Sequence, residues 1–137
     1  MYEPIRTKSV HALADPGDFP HRSREEELDI QLAGHLAALL AVTDELRVLS
    51  ADPGLDAAAE QLAAQVTRLR GLSPARVAVG SVAAAIHEPH LSALHQRAHA
   101  LAGRALVVAA SRADTAAAIL AAQRMDAHAA GHFAGAA

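Results

Sequence analysis

Cysteine is absent from the 137 residues, which excludes disulfide frameworks, thiolate nucleophiles and Cys-containing zinc sites. Tryptophan is absent as well, and only one Tyr and two Phe are present. The chain therefore lacks the aromatic platforms on which single-stranded nucleic acid stacks. Twelve basic residues against fifteen acidic ones leave a net charge of −3, so no strong basic field exists for phosphate backbones either. Nucleic acid is not an expected partner. No stretch reaches the roughly 18–20 uncharged apolar residues of a membrane span, and residues 1–10 hold no apolar run of the secretory kind. The expectation is a soluble, cytoplasmic protein with no membrane partner. Signature loops for phosphate binding, the G-x-S-x-G elbow and H-E-x-x-H are also missing; His87-Glu88-Pro89-His90 resembles the last only superficially, because Pro breaks the helix that the spacing requires. No Glu has His three residues later, so the Glu-x-x-His pairs of di-iron bundles are not available. The sequence nominates no catalytic set.

What is abundant is alanine, which supplies about half of the 52% hydrophobic content. Alanine has the best helix propensity and loses no side-chain entropy, so the chain is expected to be helical. Its length suits one domain with one ordinary core. Residues 1–21, with Pro4, Pro16, Gly17 and Pro20, show no period and read as an arm, leaving 22–137 as a single helical-bundle domain.

The first helix opens at Ser23, where Ser followed three residues later by Glu26 forms a capping box and Glu25 to Glu27 suit the positive end of the helix dipole. Its seam reads Leu28, Leu32, His35, Leu39, Val42, Leu46 and Leu49, widened by Leu36 and Leu40. Asp52-Pro53-Gly54 ends it near Ser50. A second helix runs from about Leu55 to Arg70, with Gly71 closing it. Pro74 opens a third segment with Val77, Val82 and Ile86 on one face, and Pro89 separates that segment from a longer helix bearing Leu91, Leu94, Ala98, Leu101, Ala105 and Val108. The run Leu106 to Ala110 is apolar all round and predicts central burial. Ser111 to Asp114 reads as a capping box opening a last helix over about 113–133, one unbroken helix being the alternative, with Gly131 and Gly135 marking its fraying end. Short connections favour antiparallel neighbours. The fold class is therefore all-α, an up-and-down antiparallel helical bundle of four main helices with a kinked or extra segment around residues 74–88.

Histidine is the one polar residue type with a pattern. Six of the nine histidines fall in the last third, at 87, 90, 95, 99, 128 and 132. His95 with His99 and His128 with His132 stand at i, i+4, so each pair projects from one helix face. If the chain reverses near residues 112–114, residues equidistant from the reversal face each other, which sets His99 beside His128 and His95 beside His132. Four imidazoles so placed are a candidate metal set for Zn²⁺, Cu²⁺ or Ni²⁺. Against this, the two pairs flank the apolar seams rather than occupy them, and Asp126 is the one carboxylate at a spacing to orient them. Flanking histidines are more commonly solvated. His35, in the first seam, reads as a satisfied core histidine that fixes register. The function expected on this basis is non-enzymatic: a small helical-bundle protein acting through self-association as a homo-oligomer, its first helix outrunning the second and leaving seam uncovered. The alternative is transition-metal or metal-bearing small-molecule binding by His95, His99, His128 and His132.

Overall fold

A computed structural model describes residues 22–76 and 88–136, with side chains over 22–76 and 90–131. Four helices account for these residues: α1 (Arg24–Leu49), α2 (Pro53–Arg70), α3 (Glu88–Arg112) and α4 (Thr115–Ala136). The arm over residues 1–21 and most of the expected segment around 74–88 lie outside the described residues; residues 73–76 are not helical.

Each boundary has a local cause. The Ser23 hydroxyl accepts from the Glu26 amide at 3.1 Å while the Glu26 carboxylate accepts from the Ser23 amide at 2.7 Å, the expected capping box. Asp52 caps α2 by accepting from the Gly54 amide, and Pro53 occupies the first turn, where no donor is needed. Gly71 closes α2 at φ 77° and donates to Thr67, a conformation in which a Cβ would be strained. Pro89 sits in the first turn of α3, where its missing donor costs least; the break expected before it falls on residues outside those described.

The α3–α4 turn differs from the sequence expectation. Ala113 takes φ 59°; its amide donates to Ala110 and the Asp114 amide donates back to Ala109, the two bonds of a Schellman closure. Asp114, not Ser111, is the N-cap of α4, accepting from the Ala117 amide at 3.2 Å. The Ser111 hydroxyl donates instead to the Val107 carbonyl of its own helix. Nothing in the sequence marks this turn, because alanine stands where glycine is usual.

The four helices form an all-α antiparallel bundle. α1 packs on α2 and on α3, α3 packs extensively on α4, and α4 touches α2 lightly, whereas α2 and α3 make no packing contact among the described residues. Ion pairs fix the directions. Arg112 at the end of α3 bonds Asp29 near the start of α1, and Arg68 at the end of α2 bonds Asp114 at the start of α4. The order is therefore up, down, down, up: short connections place α1/α2 and α3/α4 side by side, while α2 and α3 lie on the diagonal and run parallel. One long connection, residues 71–87, carries the chain across.

The core is asymmetric. Leu32, Leu36, Leu39, Leu40, Val42 and Leu46 of α1 and Leu62 and Val66 of α2 are its large fully buried apolar side chains. The α3–α4 contact is built mainly from Ala98, Ala102, Ala105, Ala109, Ala117 and Ala121, with Leu94, Leu101 and Leu120 at its margins. Two expectations fail here. Within the run 106–110 only Ala109 is buried, and Val107 is 67% exposed, because that stretch lies at the outer corner of the bundle and only one side of α3 meets neighbours. His35 is half-buried at the edge of the α1 stripe rather than in it, since Leu36 and Leu40 take the central positions.

Candidate functional site

Among the described residues three polar side chains are fully buried: Thr43, Asp44 and His128. Thr43 donates to the Leu39 carbonyl of its own helix, a bond that satisfies the hydroxyl locally.

Asp44 is neutralised by arginines. Arg47, one turn along α1, donates to Oδ1 at 2.8 Å, and Arg76 reaches in from beyond α2 to donate to both oxygens at 2.9 and 3.1 Å. Arg47 also bonds Asp56 at 2.8 Å, and Arg76 lies 3.6 Å from Glu60. These hydrogen bonds, Asp56 before Asp44 for Arg47 and Asp44 first for Arg76, hold both guanidiniums more firmly protonated than usual. Three arginine donors on the two oxygens favour the ionised carboxylate. It ties α1, α2 and the start of the crossover together.

The second centre lies between α3 and α4. Nδ1 of His128 is 3.0 Å from Nδ1 of His95, with ring centroids 5.3 Å apart and planes tilted by 44°. On the other side of His128, Arg124 Nη2 lies 3.4 Å from Nε2. The seat for His95 is Gly131: a Cβ there would come within 2.7 Å of the His95 ring. His99, one turn along α3, is half-buried, and His90 is exposed. His132 belongs to α4, with its side chain outside the described residues.

The hydrogen-bond inventory fixes the protons. A guanidinium only donates, so Nε2 of His128 must present its lone pair. Neutral His128 then carries its proton on Nδ1 and donates to Nδ1 of His95, whose own proton sits on Nε2. A second proton has no place in the contact. Burial first, then the charges of Arg124, His95 and His99, push the His128 imidazole down to about 3. Arg124 shares the apolar setting: its Nε is shielded from solvent with no hydrogen-bond partner among the described residues, and burial lowers its proton affinity against the opposing field of Asp52.

The expected histidine pairing is thus changed in one respect. The level is as expected, since His95 and Gly131 are both eighteen residues from Ala113 and meet. The imidazole contact, however, runs from His95 back one turn to His128. His128 does not flank the seam; it is buried, whereas Ala127 beside it is exposed. Arg124 and Gly131 did not stand out in the sequence, although Arg124 is four residues before His128 and Gly131 three after it, both helical-neighbour spacings.

The chemistry of the centre follows from these contacts. Two imidazole nitrogens 3.0 Å apart match the edge spanned by two cis ligands on a square-planar ion, about 2.9 Å for bonds of about 2.0–2.1 Å. Ligation through Nδ1 of His128 requires the proton to move to Nε2, where Arg124 already points a donor. Among the described residues no three His, Asp or Glu side chains gather in a geometry for one ion. The arrangement serves as a neutral hydrogen-bonded pair in the helix contact. No protein-family model matches the chain, and neither curated proteins nor solved structures yield a match.

Proposed function

We propose that this chain is a non-enzymatic helical-bundle protein that acts by associating with a second copy of itself. One observation carries the reading. α1 begins, α2 ends and α3 turns into α4 at the same end of the bundle, and all four large apolar side chains left exposed among the described residues belong to that end: Ile30, Leu72, Val107 and Ile119, at 49, 72, 67 and 54% exposure. Val107 and Ile119 among them, each six residues from Ala113, stand at one level on adjacent helices, and neighbouring exposed apolar residues mark interaction surfaces, whereas scattered ones do not. The charges of the same end balance, with Arg22, Arg24, Arg68, Arg70 and Arg112 against Glu25, Glu26, Glu27, Asp29 and Asp114, and ion pairs Arg22–Glu27, Arg68–Asp114 and Arg112–Asp29 join six of the ten. Such a neutral, alternating surface suits its own two-fold copy better than a strongly charged partner. Light scattering at micromolar concentration tests this, with a mass near twice 14.2 kDa expected and a monomer mass contradicting it.

Transition-metal binding through His95, His99, His128 and His132 ranks second, on the strength of the 3.0 Å nitrogen spacing. It has the Arg124 donor and the proton on His128 against it. Equimolar Zn²⁺, Cu²⁺ or Ni²⁺ is expected to leave the melting temperature unmoved; a metal-dependent rise lost in His95→Gln would reverse the ranking.

A further inference from the structure

Val107 and Ile119 are each six residues from Ala113. In a hairpin whose register places His95 against Gly131, both eighteen residues from the same point, they stand at one level on adjacent helices. On α3, Ala100, Gly103, Val107 and Ala110 fall in a stripe about 80° wide, and on α4 Thr115, Ile119, Ala122 and Asp126 fall in one about 60° wide. None of the eight is buried. The stripes meet, because Ala110, Ala113, Thr115, Ala118 and Ile119 line one shallow groove between the helices. Small side chains leave this face nearly flat, so another pair of helices can approach it closely.

Charge identifies the occupant. Arg97 and Arg104 edge the α3 stripe and Asp126 lies within the α4 stripe, and none of the three has an ion-pair partner among the described residues; Arg24 and Arg70 share that state but belong to α1 and α2, away from this face. Within one chain Asp126 and the arginines are carried on different helices and stay apart. A two-fold axis parallel to the bundle sets α3 of one copy against α4 of the other, antiparallel, with residues equidistant from Ala113 facing each other. Val107 then meets Ile119 of the second copy. Asp126, thirteen residues from Ala113, comes level with the gap between Arg104 at nine and Arg97 at sixteen. The offsets of three and four residues are about 5–6 Å along the axis, within the reach of a guanidinium. The symmetry makes each contact twice.

We infer that the outer face of the α3–α4 hairpin is the surface on which a second copy of this chain docks, with Val107 against Ile119 and Asp126 between Arg97 and Arg104. The inference rests on the self-association reading and specifies its surface and symmetry.

Charge reversal tests it. Asp126→Arg, and separately the double variant Arg97→Glu with Arg104→Glu, each set like charges opposite one another twice. Each is expected to weaken the dimer at least tenfold and to sediment as a monomer where the unaltered chain is a dimer. All three side chains are exposed, so far-UV helicity and melting of the monomer serve as the check that folding is retained. An equimolar mixture of the two variants restores complementary charges at both contacts and is expected to recover the dimer. If both variants remain dimeric, or the mixture stays monomeric, the surface is wrong although self-association stands. If the unaltered chain is itself a monomer, the self-association reading fails and this inference with it.

Discussion

The two halves of the bundle are held together by different means. α1 and α2 meet through large aliphatic side chains, and their one buried charge, Asp44, is bound by arginines on two sides. α3 and α4 meet through alanines, and among the described residues their one buried polar side chain, His128, is a neutral imidazole held by His95 beside an arginine whose Nε has no partner there. Apolar burial stabilises by roughly 25 cal/mol per Å², so the first half gains more from its own packing. Alanine contributes little area. The α3–α4 half also leaves Val107 and Ile119 in water, so the half with the poorer core is the half with apolar surface to spare. A second copy on that face would bury what the internal contact does not.

Substitutions separate the halves most strongly in the core. Leu39→Ala, at a position with no exposure, is expected to cost about 4 kcal/mol through lost burial and the cavity left, and Leu120→Ala, at the margin of the alanine contact, about 2 kcal/mol. Denaturant unfolding measures both; equal costs would remove the asymmetry. Asp44→Asn is next. Breaking a buried ion pair costs about 3–5 kcal/mol, and the lower figure applies because Arg47 retains Asp56 and both arginines reach solvent.

His128 gives the α3–α4 half its own pH signature. The folded state resists a proton that the unfolded imidazole accepts below about pH 6.5. The stability from keeping it neutral is therefore complete above that pH and declines as pH falls toward 3, by about 1.4 kcal/mol per unit. Between pH 7 and 5 the chain is expected to lose about 2 kcal/mol more than a His128→Leu variant does, as measured by urea unfolding at the two pH values. The smallest effect is at the turn. Ala113→Gly removes the strain of a left-handed alanine, which costs about 1–2 kcal/mol, against the greater freedom of glycine when unfolded. A net gain of about 1 kcal/mol, seen as a rise of roughly 4 °C in Tm, is expected.

The same asymmetry governs how much of the molecule was legible in the sequence. Where leucines and valines alternate with charges and Pro or Gly punctuates, as from Ser23 to Gly71, helix limits, caps and most of the buried stripe follow from periodicity and capping chemistry. Where alanine occupies every face, the period carries little information. His128 is buried where it reads as a flank of the seam, and in the run 106–110, apolar on every side, nothing marks Ala109 as the one buried residue. The hairpin register was readable from distance to the turn, but not the tilt of His95 toward His128. That tilt depends on the space left by Gly131, and a glycine near a helix end reads first as fraying. His35 shows the converse error: a histidine in step with a leucine seam is displaced to its edge by neighbouring leucines that fill the centre better.

Amide hydrogen exchange at several protein concentrations tests the central claim most directly, because it reads both halves in one sample. Protection in α1, around Leu32 to Leu46, is expected to be independent of concentration, whereas protection in α3 and α4 around Val107 and Ile119 is expected to rise as micromolar concentrations favour the dimer. Protection in α3 and α4 that stays constant across a hundredfold range, in a chain that light scattering shows to be monomeric throughout, would contradict that claim.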